Sequence, residues 1–435
     1  MFLHWVKAAK YRAVSYMVVN LGSKALAAFV QLYSIIVFTK IHTQDEAALI
    51  FLLLGYTIWF QAFELGLAQT LQNKFNAKQI SANDILTMIV VHYLCMLVIA
   101  GFVVATPYLA DVLLPPNKND MEIQAFSVGA AILLVASNNV ISQRLLLVFN
   151  KGQLGNALIM MQSALSLVGL ASYEYWGHAN LLVAVLTYLG PQVLVYLPLV
   201  LGWGFKLLRI ASNIKNGKLG SILHDALGFW GLGILAAIIL GSDYYFAAHY
   251  MNSQEVVSYH LATRIFFISF VAYYAYVQHS ARRLSVRMLK GVDGVVKSIL
   301  KDSVSIGLLM VFAVYGVVAV LDGLDVFSHI TNGNGIGQGL LFSALVYFIT
   351  RVCRDVGLVV VLGLNARKIM YKVYVMEALV SLCLMYLIVP KFGGQGLFAS
   401  LTIACLLGLG LLIQQVKDIG IIFTSKSGKN GTFLS

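Results

Sequence analysis

The sequence predicts an all-α polytopic membrane protein: twelve transmembrane helices in two six-helix lobes around a central cavity, with both termini cytoplasmic. Three observations lead there. The 435 residues are 60% hydrophobic and only 11% charged, with a mean hydropathy of +0.83. Soluble domains run near half apolar and a quarter charged, so lipid is the solvent that accepts this excess. The apolar residues gather into twelve runs, each near the roughly 20 residues needed to cross a bilayer. Lys and Arg then alternate from side to side along those runs, as the positive-inside rule requires.

The chain opens with a basic segment, Met1 to Arg12, carrying Lys7, Lys10 and Arg12. It has no small-residue cleavage site, and the apolar run behind it is too long for a signal peptide. Phe2, Trp5 and Val6 read as a short interfacial helix with Trp5 at headgroup level. The spans then fall near 14–38, 46–70, 85–106, 121–149, 153–174, 180–203, 222–242, 254–280, 299–321, 338–364, 370–389 and 396–416. In lipid each must be a helix, because every backbone N–H and C=O has to be satisfied within its own segment.

Span six is interrupted by Pro191 and Pro198, and span seven is crowded by Gly228, Gly231 and Gly233. Small residues let membrane helices pack closely; at a hinge they let one segment swing. The longest basic connection, 204–221, lies between these two spans and is also suited to lie along the membrane surface. It divides the chain into an N-terminal lobe, 1–203, and a C-terminal lobe, 222–435, which ends in a short cytoplasmic tail. Membrane proteins built from two such halves bind their substrates where the halves meet.

The charge pattern tests the span count. With the N-terminus inside, the inner set holds Lys7, Lys10, Arg12, Lys74, Lys78, Arg144, Lys151, Lys206, Arg209, Lys215 and Lys218 from the first half and linker. It continues with Arg282, Arg283, Arg287, Lys290, Lys297, Lys301, Arg351, Arg354, Arg367, Lys368, Lys372, Lys417, Lys426 and Lys429. The outer set is Lys40, Lys118 and Lys391, and Lys24 and Arg264 fall inside spans. A wrong number of spans would scramble this bias.

Several function classes fall away. The net charge of +12 is accounted for by membrane orientation, so no nucleic-acid partner is expected. Cys95, Cys353, Cys383 and Cys405 lie in apolar runs without metal or CxxC spacing and read as small buried hydrophobes. The longest outer loop, about 107–120, is short, and there is no Walker-A sequence, HExxH, or Ser/His/Asp grouping. Nothing argues for an enzyme, a metal or a cofactor.

What remains is a short set of ionisable residues inside spans, where each costs several kcal/mol and so faces a partner or a cavity. Lys24 and Arg264 each lie about ten residues into their spans, or ~15 Å, near the midplane. Two cations at one depth suit an anionic group such as a diphosphate, Arg offering a planar fork and Lys a mobile charge. Arg351 on span ten could join them; Arg354 and Asp355 beside it read as pairing with neighbours or snorkelling to the cytoplasmic surface. Glu64 in span two and Glu377 in span eleven either neutralise these cations or form a proton or sodium site. His92 reads as a hydrogen-bonded structural histidine, with titration near neutral pH as the sharper alternative. Tyr244, Tyr245, Phe246 and Tyr250, with Phe266, Phe267, Tyr273, Tyr274 and Tyr276, suit an interfacial belt or a surface on which sugar rings stack.

Four segments carry a resemblance. "FELGLAQTLQNKFNAK" (63–78) resembles the span-two signature of polysaccharide-export flippases. "GSDYYFAAHYMNSQEVVSYHLATRIF" (241–266) is similar to their passage from span seven to span eight. "RVCRDVGLVVVLGLNARK" (351–368) fits their tenth span, and "PKFGGQGLFAS" (390–400) resembles their turn between spans eleven and twelve. Together the segments resemble Wzx-type O-antigen or polysaccharide repeat-unit flippases of the multidrug/oligosaccharidyl-lipid/polysaccharide exporter superfamily. The sequence departs from that pattern in two places: the usual Asp of span two is Glu64, and the Gly-Leu-Gly is Gly66-Leu67-Ala68.

The resemblance implies a cationic central cavity and alternating access. It implies passage of an undecaprenyl-diphosphate-linked oligosaccharide from the cytoplasmic to the periplasmic leaflet of the inner membrane. It would place Lys24 and Arg264 on cavity-lining helices. From the in-span charges themselves, Lys24, Arg264 and Arg351 are the candidate diphosphate-binding residues, and Glu64 and Glu377 the candidates for H+ or Na+ coupling. The implied partners are the lipid-linked glycan, membrane lipid, and the O-antigen polymerase with its chain-length regulator. Two alternatives stand beside it. A multidrug or organic-cation antiporter of the same superfamily tends to carry an acidic residue in span one, where this chain has Lys24. A membrane O-antigen polymerase needs a large outer loop.

Overall fold

The computed structural model describes residues 2–106, 108–115, 118–149, 151–177, 180–208, 217–288, 293–331, 333, 335–363 and 367–426. Side chains within it are described except at 2–18, 20–21, 76, 207–208, 217–219, 269, 271–272, 274–275, 278–288, 293–300, 330, 359–360, 362–363, 367 and 416–426. The middle of the basic connection (209–216) therefore lies outside the described residues. So do the side chains of Trp5, Tyr274 and many of the inner basic set, Lys7 and Arg282 among them.

Every regular element among the described residues is a helix. In order they are α1 (Phe2–Ile41), α2 (Gln44–Gly55), α3 (Thr57–Ala62), α4 (Leu67–Asn76), α5 (Ala82–Ala105), α6 (Tyr108–Leu113), α7 (Asp120–Ala136), α8 (Asn138–Val148), α9 (Gly152–Trp176), α10 (Leu181–Leu194), α11 (Leu197–Leu208), α12 (Gly217–Tyr250), α13 (Ser253–Met288), α14 (Asp293–Gly323), α15 (Val326–Ile330), α16 (Gln338–Gly363) and α17 (Arg367–Lys426). Nine described helices or helix runs are long and apolar enough to cross a membrane: 22–41, 44–75, 82–105, 120–148, 152–176, 181–206, 220–250, 301–323 and 368–415. The chain is thus a multi-pass membrane protein. The last of these runs holds two helices, because α17 breaks at Gly393 (φ 49°, ψ −131°), just past Pro390. α13 and α16 have the length of spans and carry the charged residues Arg264, Arg351, Arg354 and Asp355.

Helix starts are set by polar caps where chain leaves water. Thr43 with Glu46, Ser81 with Asp84 and Asn119 with Glu122 each form a reciprocal capping box at the head of α2, α5 and α7, satisfying backbone N–H groups that have no partner inside the helix. The interfacial helix expected at the N-terminus is not separate: α1 runs unbroken from Phe2 to Ile41, since nothing in 2–14 interrupts helical backbone. Span six divides at one of its two prolines: α10 ends and α11 restarts around Val195 and Tyr196 with Pro198 in the first turn, where no intrahelical bond is lost, whereas Pro191 lies inside α10 and does not interrupt it. α12, by contrast, continues through Gly228, Gly231 and Gly233.

Contacts gather the chain into two units, Met1–Leu261 with Phe327–Gly335, and Ala262–Val326 with Ile336–Ser435. In the first, α1 packs on α9, α7 on α5 and α10, and α4 on α8. α12, which follows the basic connection, packs along α2, α3 and α4. Small residues let it approach. A Cβ at Gly55 would stand 2.1 Å from the Tyr244 ring, and one at Gly66 would stand 2.5 Å from the Ala226 carbonyl oxygen and 2.6 Å from Trp230 N. Below them Leu67, Leu71, Ile85, Ile89, Ile141, Leu145 and Ile222 form one buried cluster. In the second unit α16 packs on α14 and α17, with Phe266, Phe270, Tyr273 and Phe348 fully buried between them.

Gly66 is also left-handed (φ 68°) and heads α4. A side chain there meets α12 backbone and strains its own. Gly66→Ala is expected to lose about 1–3 kcal/mol from backbone strain alone, more with the clash. The check is the melting temperature of purified protein, and an unchanged value would remove this account.

Two sequence expectations need correction. Cys405 is buried and Cys353 half-buried, but Cys95 and Cys383 are exposed. In lipid a thiol needs no protein around it, so an apolar run says nothing of which face it takes. Tyr244 is part of packing, its ring over Gly55 and its hydroxyl 3.0 Å from His260 Nδ1.

Candidate functional site

Each unit holds its own cluster of polar side chains inside the apolar bundle. In the second unit the cluster starts from the spacing of Arg351, Arg354 and Asp355 on α16. Residues three and four apart share a helix face, so all three point to one side. α17 meets that side at Glu377. The Arg354 guanidinium holds the Glu377 carboxylate with two parallel bonds, Nε to Oε1 at 2.9 Å and Nη2 to Oε2 at 2.7 Å. Its Nη1 donates to Asp355 Oδ1 at 2.5 Å. This fork geometry is the strong form of the Arg–carboxylate pair. Gly408 makes room for it: a Cβ there would stand 1.9 Å from Glu377 Oε1.

Arg351 completes the group. Its Nε lies 3.6 Å from Asp355 Oδ2, and its Nη1 donates to the Tyr347 hydroxyl at 3.3 Å. The guanidinium carbon sits 5.2 Å from the Phe270 ring centre, 5.9 Å from Tyr347 and 6.0 Å from Phe267, within range of cation–π attraction. Tyr374 does the same for Arg354 at 5.7 Å. All four charged groups are buried. Two cations face two carboxylates, so the cluster is neutral when all are ionised. Arg264 lies partly buried on α13 in the same unit.

In the first unit Lys24 is partly buried on α1, and no ion pair or hydrogen bond joins it to another described residue. Glu64 lies in the turn between α3 and α4, opened by Leu65 and Gly66, both with positive φ. Its Oε2 is buried without a hydrogen-bond partner among the described residues. Arg144 on α8 acts on it electrostatically and also donates to Gln69. His92 on α5 is buried and hydrogen-bonded on both ring nitrogens, to the Phe63 carbonyl and to Asn138. Other ionic contacts lie at the helix ends: Lys74 holds Asp225 at 2.6 Å, and Lys40 holds Glu174 at 2.8 Å.

The sequence therefore singles out Arg351 and Glu377, and the structure places them in one network that also takes in Arg354 and Asp355. It supplies Glu377 with a partner the sequence did not name, Arg354. The spacing of 351, 354 and 355 was the available signal. Arg144 was counted only among the inner cations and proves to be a charge that acts on Glu64; only the packing of α8 on α4 shows that.

No family model matches the sequence. The chain is 21% identical over 270 residues to an O-antigen export protein of Yersinia pseudotuberculosis, a match that covers 59% of this chain and 61% of that protein. It is 22% identical over 404 residues to an O-antigen transporter of Salmonella typhi, covering 88% and 90%. Among solved structures the fold matches an inward-facing multidrug-resistance MATE transporter of the MOP superfamily with a TM-score of 0.70 at 12% identity, over 94% of this chain and 99% of that one. It matches the lipid II flippase MurJ in an inward closed conformation with a TM-score of 0.67 at 12% identity, over 96% and 94%. The resemblance read from the four segments is borne out: the curated relatives are named for O-antigen export, and the fold is that of MOP-superfamily transporters.

Proposed function

We propose that this chain, with the fold of MOP-superfamily transporters and sequence likeness to O-antigen exporters, is a flippase for an undecaprenyl-diphosphate-linked oligosaccharide. It carries an O-antigen or related repeat unit from the cytoplasmic to the periplasmic leaflet of the inner membrane by alternating access. Twelve spans in two six-helix sequence lobes, 1–203 and 222–435, with both termini cytoplasmic, complete the reading. The diphosphate is received by Lys24, Arg264 and Arg351. The observation that carries this is Lys24: a cation in an apolar span, joined to no carboxylate among the described residues, is costly and is explained by an anion that comes and goes. Arg351, set among three aromatic rings with its Nε 3.6 Å from Asp355, is proposed for the same role.

Glu64 and Glu377 are the groups through which an H+ or Na+ gradient would drive the cycle. Between them Glu64 is the better placed to exchange an ion, because Glu377 is already forked onto Arg354. The relatives are named as transporters, which accords with transport rather than catalysis. The O-antigen polymerase and its chain-length regulator are the partners that would receive the product.

The test is reconstitution of the full chain in liposomes loaded with undecaprenyl-diphosphate-linked oligosaccharide. Glycan accessible to an impermeant lectin should rise with time beyond protein-free liposomes. Equal rates with and without protein would overturn the reading.

A further inference from the structure

The sequence leaves two uses open for the aromatic residues at the outer end of span seven, a membrane belt or a surface for sugars. Burial sorts them. Tyr244 and Phe246 are buried, whereas Tyr245 and Tyr250 are 39% and 43% exposed, and His249 is exposed with them. The exposed rings are held in place. Tyr245 and His249, four apart at the end of α12, have ring centres 4.3 Å apart, and His249 Nδ1 lies 2.9 Å from the Tyr245 carbonyl oxygen. Tyr250 stacks on Phe246, 16° from parallel with ring centres 6.1 Å apart.

The chain then turns into α13, whose first turn brings polar groups within five residues of Tyr250. Asn252 and Glu255 cap that helix for each other: Glu255 N donates to Asn252 Oδ1 at 2.9 Å, and Asn252 N to Glu255 Oε2 at 3.1 Å. Ser253 donates to Asp45, which sets the head of α2 against the same turn. Gln254 is exposed, and no hydrogen bond joins its amide to another described residue. All these residues belong to the first unit.

We propose that Tyr245, His249 and Tyr250, rimmed by Asp45, Gln254 and Glu255, form a stacking site for neutral sugars. The face of an aromatic ring is electron-rich, and the C–H face of a pyranose is apolar with slightly positive hydrogens, so one lies flat on the other. Sugar hydroxyls at the edge need partners that accept and donate, which carboxylates and a primary amide supply. Aromatic walls with a few placed polar groups are the usual make-up of a small-molecule site. Rings already fixed by their neighbours lose little freedom on binding. Charge separates a sugar from a lipid head group. A belt against phospholipid sets Lys and Arg beside its aromatics. Here no Lys or Arg occurs between Lys218 and Arg264, and Lys40, in the last turn of α1, is held by Glu174 at 2.8 Å. Asp45 and Glu255 repel phosphate, and by the same like charge they disfavour uronic acids. That the sugar arrives on a lipid rests on the flippase reading; its recognition does not.

The experiment is saturation-transfer difference NMR on the full chain in phosphatidylcholine nanodiscs, with empty nanodiscs as the blank. The probes are free maltohexaose, chitohexaose and tetragalacturonate. A neutral oligosaccharide should take up saturation above the blank, and the uronate should not. Tyr245→Ala and Tyr250→Ala should each weaken the neutral sugar's binding roughly 2- to 10-fold, while Tyr250→Phe, which keeps the ring, retains most of it. Gln254→Ala, at an exposed side chain, is a further weakening variant that disturbs no ring. No transfer to either neutral sugar would leave the rings to lipid and overturn the proposal. So would binding unchanged in the alanine variants, or a uronate that binds as well. The probes carry no lipid and cross no membrane, so sugar binding can fail while flipping stands, and the reverse.

Discussion

Glu377→Ala is expected to deplete folded protein sharply. It leaves Arg354 and Arg351 buried with Asp355 as the remaining anion of their cluster, where the wild type sets two carboxylates against two guanidinium groups. Removing one partner of a buried pair costs about 3–5 kcal/mol, because the other charge stays desolvated. That is a large part of the 5–15 kcal/mol by which folded domains are usually stable, roughly speaking. The readout is the monodisperse fraction after detergent extraction, together with the melting temperature.

The double variant Arg354→Met/Glu377→Met sharpens the test. It removes one charge of each sign and leaves Arg351 with Asp355, four residues apart on α16 and already 3.6 Å from each other. Apolar replacement of a whole buried pair is often neutral or better. The double variant should therefore be more stable than Glu377→Ala, a non-additivity expected only of groups in one network. If the double were the worse of the two, the charge-balance account of this cluster would fail. The same variant tests coupling: a folded double variant that still moves glycan at the wild-type rate would remove Glu377 from the proposed ion pathway.

Arg264→Ala is expected to abolish surface O-antigen while protein abundance stays near normal. Loss of one charge-assisted bond to phosphate costs about 1.5–3 kcal/mol, which is roughly a 10- to 100-fold loss of head-group affinity. Lys24→Ala should behave alike, and Lys24→Arg should retain much of the activity, since charge matters more there than fork geometry. The measurement is surface polysaccharide in a strain that lacks its own flippase, against the amount of tagged protein in membranes. Wild-type polysaccharide with Arg264→Ala would take that residue out of the diphosphate site. A deletion strain that instead became sensitive to cationic drugs would favour the antiporter reading, to which the MATE likeness in fold is equally open.

Much of this protein was legible from composition. An apolar excess of this size can only be solvated by lipid, lipid forces helix, and the ionisable residues inside spans that were singled out for a site are few: Lys24, Glu64, Arg264, Arg351 and Glu377. Breaks were partly legible too, at Pro198 by ring chemistry. What the tertiary structure alone decided is which side each residue faces. In water a helix announces its buried face by periodicity; in lipid both faces are apolar, and the pattern is silent. So the fork of Arg354 on Glu377, the pressing of α12 on Gly55 and Gly66, and the two hydrogen-bond partners of His92 could not be read beforehand. Each depends on the rotation and close approach of helices distant in sequence, which packing sets and hydropathy does not record.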